Sequence, residues 1–459
     1  MISGFVVLLL VQLVVAHSLN LFPRIILFDF YQYWGVAVAR RVGGATLGNP
    51  YADAGRYHAV LSAYASASAD QRLASLQRAR PGFTATPFLY MLFGALPADY
   101  SRAATLVHVL QVVLFVGAVI LLGSICHYAP FPLLCLALVL VISSGPVSSD
   151  LRMGNLGCFQ FAALTGLLAL TLLLRRIPRV ALGAAVLTGL TLLVIAKPNV
   201  APAVATMALS VWWARGIRFV AIAAIPAALS AILAVLISCK YFGSWTVWQD
   251  WYRVVFGKNP YSLVRPAEGG NYASSRLLSS WLHLDVWLVI ALTGAVLALS
   301  LIALAVWAAR VNARDRASLV MGAFGRAFDD PRLAAAIGVT TCIAVSPLFW
   351  YHYYVIALIP GLWLLNASGG PSAPALWGLA ALVLSSGLLN VLFLPLGWSA
   401  AVEAGAALSW LPLWGGILHR LHSPEPTPVA APTPSTTAAG APAPKSGRRT
   451  RKVQARARP

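Results

Sequence analysis

Apolar residues run along this chain in long blocks divided by short polar segments. The first block covers residues 4–22, and later ones cover 84–97, 103–126, 130–146, 156–174, 180–196, 199–213, 219–238, 285–309, 333–350, 353–367, 375–397 and 400–418. Blocks close to ~20 residues match the hydrocarbon thickness of a bilayer, inside which only helices and closed barrels satisfy their own backbone. The pattern therefore predicts an all-α polytopic membrane protein with about 11–13 transmembrane segments, the shorter blocks entering as half-helices. No charge precedes the first block and no small-residue cleavage pattern follows it. It is expected to stay as a first helix rather than leave as a signal peptide.

Two stretches are too polar to span. From Pro23 to Phe83 the chain reads ILFDFYQYWGVAVARR, then the turn-like GGATLGNPY, then apolar residues at helical spacing from Tyr57 to Arg80. This 24–83 segment predicts two amphipathic helices lying at the membrane surface. The second polar stretch is 239–284. Beyond Leu421 the sequence is rich in Pro, Ala, Thr and Ser and then basic, which predicts a disordered tail over 422–459 behind one membrane domain over 1–421.

Composition supports the same class. Of 459 residues 59% are hydrophobic and 10% charged, against about 25% charged in a soluble domain. A water-soluble enzyme, a secreted disulfide scaffold and an extended disordered chain are excluded. The net charge of +20 would suit a nucleic-acid partner, but eight Lys and Arg residues against one acid lie between His419 and Pro459, and most others sit between apolar blocks. That distribution sets topology and attracts anionic lipid, so membrane lipids are the expected partner and nucleic acid is not. Cys126, Cys135, Cys158, Cys239 and Cys342 lack metal-ligand spacing and read as packing residues.

Arginine placement predicts sidedness. Arg175, Arg176 and Arg179, then Arg215 and Arg218, the 310–332 segment and the tail should be cytoplasmic. Counting crossings then puts four polar clusters on the other side of the inner or plasma membrane: 150–155, 197–199, 239–284 and 350–352. The 24–83 segment stays ambiguous. Its seven arginines suit the cytoplasm if every early block crosses, whereas it faces outward if 84–97, with Pro87 and Pro97, does not cross.

Several residues in these clusters could carry chemistry. Asp29 lies in apolar surroundings past the first helix, where lost solvation raises a carboxyl pKa and suits it to accept a proton. It could equally pair with Arg24 or cap the following helix. Tyr33 falls one turn later on the same face. Lys197 could bind a phosphate or snorkel to headgroups. His352, among the aromatics of SPLFWYHYY, could donate to a phosphate or a sugar hydroxyl, or sit in an interfacial aromatic belt. Arg152 and Asn155 in SDLRMGN carry little alone. The 239–284 stretch combines Lys258, Arg265, Glu268 and Arg276 with Trp245, Trp248, Trp251 and Trp281, which suits sugar phosphates and an interfacial loop alike. No phosphate-binding loop, dinucleotide fingerprint or HExxH motif occurs. Basic residues among few acids favour an anionic ligand over a divalent metal, so no metal site is expected.

Taken in order, these pieces resemble the GT-C superfamily of polytopic glycosyltransferases, most closely family 87 and its polyprenol-phosphate-mannose-dependent mannosyltransferases. Asp29-Phe30-Tyr31-Gln32-Tyr33 with Gly48-Asn49-Pro50-Tyr51 is similar to the family's D-x-x-x-Y…G-x-P-Y. Thr86-Pro87-Phe88 stands at its Y-P-P, Gly154-Asn155 at G-Q-x-N, Lys197-Pro198 at K-x-x-P, and Ser346 to His352 at S-P-x-S-W-D-H. The Gln of G-Q-x-N, the Asp before His352 and the second Pro of Y-P-P are absent. The resemblance implies a GT-C-like bundle with the 24–83 segment outside the cell. It also implies transfer of a sugar from a polyprenyl-phosphate donor to a lipid or glycan acceptor, without an obligatory metal or other cofactor. Asp29 would be the general base, and Lys197, His352, Arg152, Asn155 and Tyr33 would hold the donor phosphate and sugar. The alternative from another class is a lipid-linked sugar flippase, which would use the same cationic cavity without a base.

Overall fold

Every regular element is helical among the described residues of the computed structural model, which are 2–21, 27–44, 47–80, 82–256, 272–311, 325, 327–347, 349–366, 373–385, 405 and 407–422. They belong to one compact unit, Met1–Ser423. Arg24, Lys258, Arg265, Glu268, most of the 310–332 segment and the basic tail from Ser423 onward lie outside the described residues.

The chain opens with α1 (Ile2–Leu21), followed by α2 (Phe28–Gly43), α3 (Ala54–Ser66), α4 (Gln71–Ser75) and α5 (Pro87–Phe93). Then come α6 (Tyr100–Ile125), α7 (Pro130–Ser143), α8 (Gly145–Met153), α9 (Gly157–Arg176) and α10 (Val180–Ala196). The last labelled elements are α11 (Ala201–Phe242), α12 (Val247–Phe256), α13 (Ser274–Leu282) and α14 (Val286–Val311). Further helices span Pro331–Val345, Leu358–Asn366, Ala373–Ser385 and Trp410–His422. Among these, four elements are long and apolar enough to cross a membrane, α6, α9, α11 with its lead-in, and α14. The pair α7 and α8, bent by 63°, adds a fifth if counted as one span. These are the elements of an all-α, multi-pass membrane protein.

Element α11 is 42 residues long, about twice what a bilayer needs. It is two helices joined at Gly216, whose φ of 78° and ψ of 168° lie where only glycine is unstrained. The break falls between Arg215 and Arg218, where the sequence divides one apolar block from the next. Arg215 Nη2 donates to the carbonyls of Leu174 and Arg175 and so satisfies the C-terminal end of α9. Arg175 pairs with Asp329 at 2.9 Å, and Arg332 with Asp330 at 3.0 Å. Among the described residues, Arg175, Arg215 and Asp329 thus meet at the C-terminal end of α9.

The first polar stretch differs from its expectation. Ten successive residues of α2, Phe30 to Ala39, are buried, so α2 is an internal helix and not one lying amphipathically at a surface. Its polar atoms are satisfied inside: Trp34 Nε1 donates to the Pro97 carbonyl at 2.9 Å and Gln32 Nε2 to the Tyr90 hydroxyl at 3.1 Å. The 57–80 region is two helices, because Asp70 caps α4 by accepting from the Arg72 amide at 2.9 Å. Of the two, α3 is amphipathic as expected, with Tyr57, Leu61 and Ala65 buried one turn apart. The 84–97 block yields only α5. Its seven residues rise about 10 Å, too little to cross a bilayer. Thr86 caps it by accepting from the Leu89 amide at 3.2 Å, and Pro87 starts it.

Candidate active site

Helix ends build the site, because chain reversals are where polar residues collect between apolar helices. The N-terminal turn of α2, the segment 82–86, the α8–α9 turn, the Lys197–Asn199 junction, α12 and residues 345–347 and 350–353 surround one cavity of about 670 Å³. Asp29, Tyr33, Asn155, Lys197 and His352 all line it. Four sequence clusters separated by up to hundreds of residues therefore meet in one space.

Asp29 occupies the second position of α2, behind the N-cap residue Leu27, and no side chain caps that helix. The capping role open to Asp29 is not the one it adopts. Asn155 Nδ2 donates to Asp29 Oδ2 at 2.6 Å, while Oδ1 has no hydrogen-bond partner among the described residues. Asn155 Oδ1 accepts from the Leu156 amide at 2.6 Å and from the Tyr33 hydroxyl at 3.4 Å, which fixes the orientation of its amide. Burial pushes the Asp29 carboxyl up to about 6, against the opposing pull of the Asn155 hydrogen bond and the Lys197 charge. It sits deep in the protein yet keeps part of its surface on the cavity.

Lys197 follows the last turn of α10. Its Nζ donates to the hydroxyls of Tyr33 and Tyr353, each at 3.1 Å, which leaves one of three N–H bonds for a ligand. Burial lowers its pKa to about 8, opposed by Asp29 and Asp150. Near neutral pH the cavity therefore holds a carboxylate and an ammonium together. His352 is 4% exposed, and its Nε2 has no hydrogen-bond partner among the described residues. Burial and the Lys197 charge drive its pKa well below the usual value, so it faces the cavity as a neutral imidazole. Among the described residues, no cluster of three or more His, Cys, Asp or Glu side chains could hold a metal ion.

Against family models, curated proteins and solved structures, the chain has no match. The site is thus read from its own chemistry.

Arg152 is a correction. It is exposed and does not line the cavity. Ser149 and Met153, one turn apart on α8, are the residues of that helix that do. Of the 239–284 stretch, Trp251 and Val255 of α12 reach the cavity wall, whereas Trp245 is 78% exposed. Two further polar residues near the site, Asp150 and Gln111, are fully excluded from solvent. The signal for Gln111 is a lone amide inside the apolar block 103–126, since a polar side chain in a spanning helix needs a specific partner. Asp150 lay in plain view beside Asn155, but nothing in its spacing distinguishes an inward carboxylate from an interfacial one.

Proposed function

We propose that this protein is an integral-membrane glycosyltransferase of the GT-C type, most like family 87, with a bundle of about 11–13 spans. It moves a sugar, with mannose the leading candidate, from a polyprenyl-phosphate donor to a hydroxyl of a lipid or glycan acceptor on the extracytoplasmic side. The observation that carries this reading is the shared cavity, in which a carboxylate with a free oxygen and an ammonium with a spare N–H face the same space.

The acceptor hydroxyl gives its proton to Asp29 as its oxygen attacks the anomeric carbon. The bond from that carbon to the phosphate oxygen breaks with inversion, and polyprenyl phosphate leaves. Lys197 meets the charge that grows on the departing phosphate. His352 supplies a neutral N–H to a phosphate oxygen or a sugar hydroxyl from the part of its ring that lines the cavity. Tyr33 holds both Lys197 and Asn155, so it positions the cation relative to the base. Arg152, exposed and off the cavity, takes no part.

The test is to incubate purified protein with labelled polyprenyl-phosphate sugars and membrane lipids. Label should appear on a lipid or glycan with release of an equal amount of polyprenyl phosphate. Movement of intact donor across a proteoliposome bilayer, without that release, would replace the transferase reading with a flippase.

A further inference from the structure

Beneath the α8–α9 turn lie two buried polar side chains that the transfer steps leave unused. Asp150, on α8, accepts from the Gly157 and Cys158 amides at 2.8 Å each, the first two N–H groups of α9. The N-cap residue of α9, Leu156, has no side-chain acceptor of its own, so the carboxylate of the preceding helix satisfies those amides. Gln111 reaches the same place from α6. Its Nε2 donates to the Asn155 carbonyl at 2.7 Å, to Asp150 Oδ2 at 3.2 Å and to the Asp150 carbonyl at 3.3 Å. All three neighbours are acceptors, so the Gln111 amide has one possible orientation, nitrogen toward the turn.

The turn they grip presses on the base. Gly154 has φ +63°, and a Cβ there would stand 2.6 Å from Phe30 Cβ and 3.1 Å from Leu27 Cβ, at the start of α2. Asn155, the next residue, donates to Asp29. Gly157 lies against the His352 carbonyl, 2.7 Å from where a Cβ would sit. Asp29 and His352 are thus referenced to one rigid corner. We infer that Gln111 and Asp150 are positioning residues: they lock the Asn155 turn, and through Asn155 they fix the direction and the basicity of the Asp29 carboxylate. This rests on the reading of Asp29 as the base.

Gln111 is the cleaner lever for a test. Asp150→Asn would remove a negative charge that raises the Asp29 pKa and also loosen the hydrogen bond that lowers it, two opposite effects. Gln111→Met changes no charge and leaves both α9 amides on Asp150. Besides Asn155, the groups that bear on Asp29 are Lys197 and Asp150 by charge and the phenols of Tyr33 and Tyr353. Of these, Gln111→Met touches Asp150 alone, taking one donated hydrogen bond from its Oδ2 while its charge and both α9 amides stay.

In Gln111→Met, kcat should fall about 10- to 100-fold, as for a displacement of the base by a fraction of an ångström to one ångström, with donor KM little changed. The acid limb of the pH profile should move to higher pH, because a carboxylate that loses a donated hydrogen bond is protonated more readily. The alkaline limb should stay. Asn155→Ala should move the acid limb the same way, and the double variant no further than the larger single shift. Gln111→Asn keeps the amide but shortens its reach, and serves as the milder variant with a smaller shift of the same sign. An unmoved acid limb in a Gln111 variant of lowered thermal stability would make the residue merely structural and overturn the inference, as would fully additive shifts. The infrared carboxylate band that Asp29→Asn removes reports the same titration without turnover. A wild-type protein that transfers no sugar therefore refutes the proposed reaction, while the coupling of Gln111 to Asp29 is still decided by that band.

Discussion

Asp29 keeps its charge against the preference of its surroundings. With a folded pKa of about 6 against an ordinary 3.8, ionisation opposes folding. The penalty is absent below the ordinary value and complete once pH passes the folded one, at most about 3 kcal/mol near neutrality. Asp29→Asn removes it while an amide oxygen still accepts from Asn155. Its thermal midpoint should stay level or rise, while turnover falls by about 10²–10⁴-fold and donor affinity changes little. Lower stability with near-normal turnover would instead make Asp29 a structural acid. Lys197→Ala is the contrast, since loss of a phosphate contact weakens donor binding as well as rate. The two ionisations also set a pH window. Between about 6 and about 8 the carboxylate is charged and the ammonium still protonated, so kcat/KM should rise through the lower value and fall through the upper one. A rate profile flat across the lower limb would remove Asp29 as the base.

Two glycines separate backbone strain from crowding at the level of the elements. Gly216 and Gly154 both adopt positive φ, but a Cβ at Gly216 meets nothing within 4 Å while one at Gly154 meets Phe30 and Leu27. Gly216→Ala should lower stability by about 1–3 kcal/mol and leave turnover intact. Gly154→Ala should lower both, because the α8–α9 turn must retreat from α2 and carry Asn155 with it. Chemical denaturation and turnover on the two variants decide this, and equal losses would refute it. The Gly216 break is legible in the sequence because Arg215 and Arg218 interrupt the apolar pattern locally. The burial of α2 is not, because Phe83, Tyr90, Phe93 and Tyr100, the rings that surround it, come from later segments. Spacing places Asp29, Lys197 and His352 at helix ends, and the cavity joins them. It cannot place Arg152, whose direction depends on which face of α8 meets the cavity.

For the whole molecule, arginine counting leaves the 24–83 segment open, and the fold itself holds several of its arginines. Arg40 donates to the Tyr241 carbonyl at 3.0 Å, Arg41 to the Leu96 carbonyl at 2.5 Å, and Arg72 pairs with Asp70 at 3.1 Å. In the proposed topology the short α5 supplies what charge does not, since a block that does not cross would keep 24–83 on the side of Asn155, Lys197 and His352. A cysteine placed at exposed Ala52 should therefore react with an impermeant reagent added outside intact cells, and one at exposed Arg218 should not. The reverse pattern would invert the proposed topology. The convergence of distant helix ends on one cavity also has a timetable. Asp29 leaves the ribosome about 320 residues before His352, roughly 15–65 s earlier at ordinary elongation rates. Until His352 emerges the pocket is incomplete, and under the proposed reaction a nascent or prematurely terminated chain would carry no competent site in which to squander an activated lipid.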